Sequence, residues 1–483
     1  MVETAVPRIK PDVSVAGLVD LTRAHFVGIG GLGMLPVARV CVGRGYSVSG
    51  SDVRDSSGLE ALEQHGVLVH KGHRAGNVPV EATAVVFTHA VGEDNPEIAQ
   101  ARHLGIPVVH RSAALNTLMA GHTSIAVMGT HGKSSTSAML ACTLARLGQD
   151  PSYVVGADLD LPGSGGRSGL GGFFVAEVDE SDRSHIGMNM SVAVIMNIAH
   201  DHLENYATEM DHVDAYEACL RIGLAEHGML VLNADSEPCR ELASRLALAG
   251  DGPRLVTFGV SSSADWRLTN VVSAGGRSTA TLTGPGGLEL DLALRVPGIH
   301  QLTNAAATVA TLHSLGQGHD PAVEQLLYFD GAVRRMTPAG QAAGVRLYDS
   351  FAHHPDEVNA DLAAARSLVQ GDGRVLVVFQ PSDETRLSAF GDEFGTALAG
   401  CDEVVLTDGS RGVPPAGLEL LSARINQAGG DAPKVVPERD TAVACAAQLA
   451  RPGDVVVLMG VGDIVEFGPA LLAALNELLP AAA

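Results

Sequence analysis

The sequence predicts an α/β protein of three domains, and three observations carry that prediction. Short apolar runs alternate with helical periodicity along nearly the whole chain, the pattern of parallel strands covered by helices. At 483 residues the chain is long enough for three domains of roughly 150 residues each. Hydrophobic residues make up 46% and charged ones only 18%, a balance that buries cores instead of leaving solvated coil. We place the domains at 1–121, 122–330 and 331–483, with boundaries in polar or Gly/Pro-containing loops near Ala120-Gly121-His122 and between Phe329 and Gly340.

The first domain reads as Rossmann-like. The apolar strand His25–Ile29 runs into Gly28-Ile29-Gly30-Gly31-Leu32-Gly33, which opens the helix Met34–Gly43. Glycines at these positions let the backbone turn sharply and approach a diphosphate, whose charge then sits on the helix N-terminus. Asp52 ends the next strand about 20 residues on, where an acid holds a ribose hydroxyl. The fingerprint specifies a nucleotide diphosphate better than it specifies nicotinamide, so NAD and a UDP-sugar both fit. Val85–Thr88 supplies a further strand.

The central domain reads as a P-loop-type ATPase. Strand Ile125–Met128 leads to Gly129-Thr130-His131-Gly132-Lys133-Ser134, followed by a helix with Met139, Leu140, Leu144 and Leu147 on one face. Such a loop cradles phosphates with its backbone N–H groups, Lys133 neutralises the β/γ oxygens and the Ser134 hydroxyl joins Mg²⁺. Val127 stands where the full pattern has its first glycine, and the bland reading is a glycine turn capped by Ser134 or Ser135. Mg²⁺ needs a partner acid at a neighbouring strand end. Phe173–Val178 delivers Glu177, with Asp179, Glu180 and Asp182 beyond, for which a solvated charged face is the alternative. Strand Ala193–Met196 leads to His202, which would share the C-terminal sheet edge with Glu177. Asp265–Arg295 reads as antiparallel hairpins appended to this domain.

Strands Arg374–Phe379, Glu403–Leu406 and Asp454–Met459 make the third domain a second Rossmann-like unit. Its polar groups are Arg334-Arg335, Asp349 through Pro355, and Gln380 through Arg386. His353 and His354 are adjacent and point to opposite sides, which favours hydrogen bonding over chelation of one ion.

Composition excludes several classes. A net charge of −23 argues against a nucleic-acid binder, because counterion release needs clustered basic residues. No run approaches the ~18 apolar residues of a membrane span. Glu3, Arg8, Lys10, Asp12 and Asp20 interrupt every apolar stretch that a signal peptide would need. The six cysteines are scattered without a C-x-x-C, as in a reduced cytoplasmic protein. Small-molecule substrates and a monomer or homodimer are the expectation.

Taken in order, the motifs resemble those of the Mur ligase family, from about His25 to the end of the chain, and most of all its alanine-adding members. They are Gly28–Met34, Ser49–Asp52, Asp94–Glu97, Gly129–Lys133, Glu177–Asp182, Asp201-His202, Pro297–His300 with Asn304, Arg334-Arg335 and Ala352–Pro355. The resemblance implies an ATP-dependent amide ligation that begins peptidoglycan peptide assembly through an acyl phosphate. It implies that Gly28, Gly30, Gly31, Gly33, Met34, Asp52 and Arg111 hold a UDP-sugar. ATP would fall to Gly129, Thr130, His131, Gly132, Lys133, Ser134, Ser135, His300, Asn304, Arg335 and Asp349. Ser134, Glu177 and His202 would hold two Mg²⁺ ions, and Lys133, Glu177, His202 and Arg335 would be catalytic. The amino-acid pocket would take in Phe351, His353, Ser382, Asp383 and Arg386.

Departures from the family pattern bear on specificity. Ser350 stands where a second acid is usual, Gln301 where Asn is usual, and Ser382-Asp383-Glu384 where the family brings basic and aromatic groups. Two acids beside an amino acid's carboxylate would repel it. The expectation therefore stays open between L-alanine, another amine and a recycled peptide. Readings of another class are a NAD-dependent oxidoreductase, which leaves Lys133 and Glu177 unexplained, and a non-catalytic nucleotide-binding regulator.

Overall fold

The computed structural model describes residues 17–247, 252–409 and 412–478. Glu3, Arg8, Lys10 and Asp12 lie outside the described residues. In the N-terminal sheet the strands stand in the order Leu68–Lys71, Ser47–Asp52, Arg23–Val27, Ala84–Phe87 and Val108–His110, all parallel. Runs such as Ala84–Phe87, buried at all four positions, are what a strand covered on both faces requires. The first strand is in the middle, so the chain winds outward on one side and then on the other. That reversal leaves a crevice beyond the C-terminal ends of Arg23–Val27 and Ala84–Phe87, where ligands of such sheets bind.

The central sheet has ten strands. Its parallel heart runs Arg254–Gly259, Leu224–Asn233, Met190–Ile195, Thr123–Met128, Phe173–Glu177 and Ser152–Val154. The short strand Gly166–Arg167 closes one edge antiparallel to Ser152–Val154. Trp266–Ala274, Arg277–Gly284 and Leu288–Leu294 extend the other edge in succession, joined at Gly275-Gly276 and Pro285–Gly287. The third sheet orders Arg335–Ala342, Val345–Ser350, Val455–Gly460, Val375–Gln380, Glu403–Leu406 and Lys434–Val435, with only the first pair antiparallel. The fold is thus three α/β domains, with a parallel five-stranded sheet, a mixed ten-stranded sheet and a mixed six-stranded sheet in chain order.

Packing separates the described chain into two units. The first holds residues through Leu268 with Leu282–Leu290 and Asn304–Leu326, and the second holds Thr269–Thr281, Asp291–Thr303 and residues from Leu327 on. Within the first, one apolar core runs from Leu21 to Leu246 and so joins the N-terminal and central sheets. Gly166 meets helix Leu35–Gly43 so closely that a Cβ there would lie 2.3 Å from the Pro36 carbonyl oxygen, which leaves room only for glycine. In the second unit the alternation of strand side chains makes two layers, with Val375, Val377 and Phe379 on one face and Leu376 and Val378 on the other. Among the described residues no helix is long and apolar enough to cross a membrane.

Beneath the N-terminal crevice lies a buried polar network built from two of the sequence motifs. Glu97 is fully buried and accepts hydrogen bonds from Ser51 Oγ at 2.6 Å, Asn77 Nδ2 at 2.6 Å and the Arg74 amide at 3.2 Å, with His25 Nε2 at 3.5 Å. His25 Nδ1 lies 2.9 Å from Ser49 Oγ, and Ser51 Oγ lies 2.8 Å from His73 Nδ1. Burial works to raise the Glu97 pKa, but the hydrogen bonds from His25, Ser51, Asn77 and Arg74 outweigh it and bring it down to about 2. A carboxyl with a depressed folded-state pKa stabilises the fold above its unfolded value, and the contribution fades as pH falls through the folded one. We expect Glu97→Gln to lower stability by about 3 kcal/mol at neutral pH. Urea unfolding across pH should show that deficit shrinking between pH 4.5 and about 2; a constant deficit would contradict the ionised network.

Candidate active site

The glycine turn is braced from below and covered from above. Gly28 takes φ 75°, and its N–H and that of Ile29 donate to the Ser51 carbonyl at 2.8 and 3.0 Å. The Asp52 carboxylate accepts from the Gly30 amide at 2.9 Å and from the Arg54 amide at 3.0 Å. Gly31 is exposed, whereas Met34 is buried in the core. Arg111 lies against Gly33, where a Cβ would come within 1.7 Å of Nη1, and its Nη2 donates to Asp179 Oδ2 at 3.1 Å. The turn is therefore tied to the central domain's acidic segment.

The phosphate-type loop follows a strand end that is fully buried. Gly129, at φ 119°, presses against the backbone of Asn197, and Gly132, at φ 85°, caps helix Lys133–Arg146; both conformations exclude a side chain. The segment after strand Met190–Ile195 clasps the loop. Asn197 Oδ1 accepts from the His131 amide and Asn197 Nδ2 donates to the His131 carbonyl, both at 2.9 Å. Thr130 Oγ1 accepts from the Ala199 amide at 2.8 Å. Asn304 abuts Gly132, and Ser135 is buried in the first helical turn.

Lys133 bends back over this loop, donating to Gly129 O at 2.6 Å, Thr130 O at 3.1 Å and Glu180 Oε1 at 3.0 Å. Burial opposes its charge, but Glu180, Asp179 and Glu177 outweigh burial and hold its pKa above the ordinary lysine value. Ser134 Oγ donates to Glu177 Oε1 at 2.8 Å, and the other Glu177 oxygen accepts from the Gly156 amide at 2.7 Å. The hydroxyl of Ser134 and the carboxylate of Glu177, beside a helix N-terminus, are the hard oxygen donors that Mg²⁺ prefers.

The acidic run is not a solvated face. Glu180 is fully buried and Asp182 nearly so. Burial raises the Glu180 pKa despite Lys133. At Asp179 burial is outweighed by Arg111 and Lys133, and at Asp182 by hydrogen bonds from His110 and His89, so both lie well below the usual carboxylate range. His202, at φ 51°, places Nε2 3.9 Å from Glu180 Oε1 and 3.7 Å from Asp201 Oδ2. Glu180 thus stands between Lys133 and His202, whereas the sequence reading paired His202 with Glu177 around Mg²⁺. Tyr206 fixes this arrangement, its hydroxyl donating to the Glu180 carbonyl at 2.6 Å and its ring stacked at 3.6 Å on His212, whose Nε2 lies 2.8 Å from the Asp201 carbonyl.

In the second unit, Arg334 and Arg335 lie 4.7 and 5.1 Å from the Phe351 ring centre. Arg334 also donates to the Gly460 and Gly462 carbonyls, and Arg335 Nη1 is 3.5 Å from Glu357. His353 Nδ1 lies 2.8 Å from Phe351 O, while His354 caps helix Pro355–Leu368. Burial, opposed by Arg334, raises the Asp349 pKa to about 6. Ser350 Oγ donates to Asp361 Oδ2 at 2.5 Å, so a helix residue brings a carboxyl to the place where the sequence showed a missing acid. Burial raises that Asp361 pKa to about 7, and burial together with Arg335 lowers His300, 3.9 Å away, to about 4.

Asp383 and Glu384 have local work. Asp383 is the N-cap of helix Glu384–Ala389, accepting from the Arg386 amide at 2.8 Å and from Ser382 Oγ at 3.0 Å, with Arg386 Nη1 4.0 Å away. Glu384 is exposed in the first turn, where a negative charge favours the helix dipole. Asp383 thus has a capping role at the start of this helix that linear spacing alone did not reveal.

Three domain models of one family match the chain in order: "Mur ligase family, catalytic domain" at residues 23–123, "Mur ligase middle domain" at 127–312 and "Mur ligase, glutamate ligase domain" at 334–462. The UDP-N-acetylmuramate-L-alanine ligase of Streptomyces coelicolor is 43% identical over 461 residues, covering 95% of this chain and 98% of that protein. The corresponding ligase of Kineococcus radiotolerans is 41% identical over 470 residues, covering 96% and 98%. Among solved structures, the UDP-N-acetylmuramate-alanine ligase of Thermotoga maritima superposes with a TM-score of 0.79 at 29% identity, covering 94% of this chain and 99% of that one. A murein peptide ligase from Psychrobacter arcticus shares the fold, with a TM-score of 0.69 at 22% identity over 95% and 99%. With such identity along nearly its whole length, the chain belongs to the Mur ligase family.

Proposed function

We propose that this protein is an ATP-dependent ligase that joins L-alanine to the lactyl carboxylate of UDP-N-acetylmuramate, the first peptide step of peptidoglycan precursor synthesis in the cytoplasm. The observation that carries the reading is the segment Glu177–Asp182. It touches Lys133 and Ser134 of the phosphate loop and, through Arg111, the glycine turn, so two anionic substrates would meet across one short loop. The full-length relatives that carry this activity in their names support it. In this reading residues 1–121 bind the UDP-sugar, 122–330 bind ATP, and 331–483 close on ATP and the incoming amino acid, which the order of the three family matches supports.

A carboxylate is a poor electrophile at neutral pH. In this reading its oxygen attacks the γ-phosphorus of ATP, ADP leaves, and an acyl phosphate results. The L-alanine nitrogen then attacks the carbonyl carbon, phosphate departs and the nitrogen loses a proton. The first step brings two anions together, so catalysis rests on neutralisation and alignment. ATP phosphates would draw the Lys133 ammonium from Glu180, and the loop amides between Gly129 and Ser135 would cradle them. Ser134 and Glu177 would hold Mg²⁺, with Glu180 and His202 flanking; when bound, the ion offsets charge on the phosphoryl oxygens. His300, Asn304, Arg335 and Asp349 would position the nucleotide. The α-carboxylate of L-alanine would meet Arg386, near Phe351, His353 and Ser382.

Three outcomes test this reading. Phosphate release should require UDP-N-acetylmuramate, ATP and an amino acid together, and a panel of amino acids should show preference for L-alanine. Strong preference for another amine would overturn the assignment. Lys133→Ala should lower kcat by about 10²–10³-fold, the usual cost of removing one preorganised charge contact, in steady-state assays. Asp383→Asn keeps the cap and removes the charge, so KM for L-alanine should stay within about twofold; a large fall would mean that Asp383 repels the substrate after all.

A further inference from the structure

One cluster of the first unit has no part in the chemistry above. Asp182 Oδ2 receives two imidazoles from the N-terminal domain, His110 Nε2 at 3.1 Å and His89 Nδ1 at 3.3 Å, while its other oxygen accepts from the Ser184 amide at 3.0 Å. The two rings differ. His110 is buried at the N-cap of helix Arg111–Met119, where its Nδ1 accepts from the Ser112 amide at 3.3 Å. That nitrogen is an acceptor, so Nε2 carries the hydrogen. Nε2 is buried and faces Asp182 Oδ2 at 3.1 Å, so both nitrogens of His110 are taken up inside the protein. His89 brings Nδ1, a buried atom, to 3.3 Å from the same carboxylate oxygen, and its side chain as a whole is 32% exposed. Among the described residues Nε2 has no hydrogen bond or ion pair, so it is the nitrogen that remains to meet a ligand.

The position of His89 says what that nitrogen is for. It lies two residues beyond strand Ala84–Phe87, whose neighbour Arg23–Val27 feeds the glycine turn. These are the two strands between which the winding of the sheet reverses, and an anionic nucleotide on the turn would lie in that crevice. A histidine set against a buried carboxylate through one nitrogen is fixed in orientation, so its other nitrogen is aimed and can donate to an anion. We propose that His89 binds the diphosphate of the nucleotide sugar through Nε2, and that Asp182 is the positioning residue that aims it. The same six-residue segment holds Lys133 through Glu180, so it sets both anion sites from one backbone.

This inference rests on the ligase reading, and the test keeps the two apart. The wild-type chain is assayed with UDP-N-acetylmuramate, ATP and L-alanine beside His89→Ala, His89→Gln and Asp182→Asn, and binding of UDP-N-acetylmuramate and of UDP is titrated calorimetrically. An inactive wild type counts against the ligase reading itself. With an active wild type, His89→Ala should raise both KM and Kd for the nucleotide sugar by about tenfold, the worth of one charge-assisted hydrogen bond. It should weaken UDP by a similar factor and move KM for ATP far less. His89→Gln, which keeps an N–H donor at similar reach, should recover part of the loss. Asp182→Asn should reproduce the KM effect while melting close to the wild type. Nucleotide-sugar affinity unchanged in His89→Ala would overturn the proposal whatever Asp182→Asn does, and so would weakened UDP-N-acetylmuramate with unchanged UDP.

Discussion

The Lys133–Glu180 ion pair sits where water shares little of the charge, with the lysine side chain 15% exposed, the glutamate fully buried and their charged atoms 3.0 Å apart. A carboxylate taken that far from solvent without a partner costs several kcal/mol, so the chain after strand Phe173–Glu177 has to pass directly over the phosphate-type loop. Everything else on the segment follows from that path. Glu177 stays at the strand end on Ser134, Asp179 turns out to Arg111, and Asp182 reaches His89 and His110. The packing of the N-terminal sheet against the central one, through a single apolar core, gives these contacts a fixed distance to span.

Much of this was legible in the sequence, and what was missed has a common cause. The strands that carry the site are continuous apolar runs, readable because strands buried on both faces admit little else. The loop Gly129–Ser134 was readable because Gly129 and Gly132 occupy backbone conformations that bar other residues. Glu180 and Asp182 were harder. A dense acidic run normally faces water, and nothing local shows that Lys133 and two histidines arrive from distant segments. Glu97 was read only as part of a motif, since its partners Ser51, Asn77 and His25 meet it through sheet topology. Asp361 was missed because its link to Ser350 joins a helix to a strand. The capping role of Asp383 was not legible, since a helix cap and a pocket acid look alike until the helix start is placed.

The net charge of −23 also takes on a definite meaning. The expected substrates are polyanions, so positive potential has to be local. In the first unit Arg111 and Lys133 are each already paired with an acid of the Glu177–Asp182 segment. Such pairing keeps buried cations affordable before substrate arrives and makes their release part of binding. The Streptomyces coelicolor relative aligns with 95% of this chain.

The central claim is that the carboxylate is activated by phosphoryl transfer before the amine attacks. The most direct measurement uses UDP-N-acetylmuramate carrying oxygen-18 in its lactyl carboxylate and reads the released phosphate by mass spectrometry. Transfer through an acyl phosphate places one labelled oxygen in each phosphate formed. Unlabelled phosphate, with the amide product accumulating at the same rate, would contradict the account.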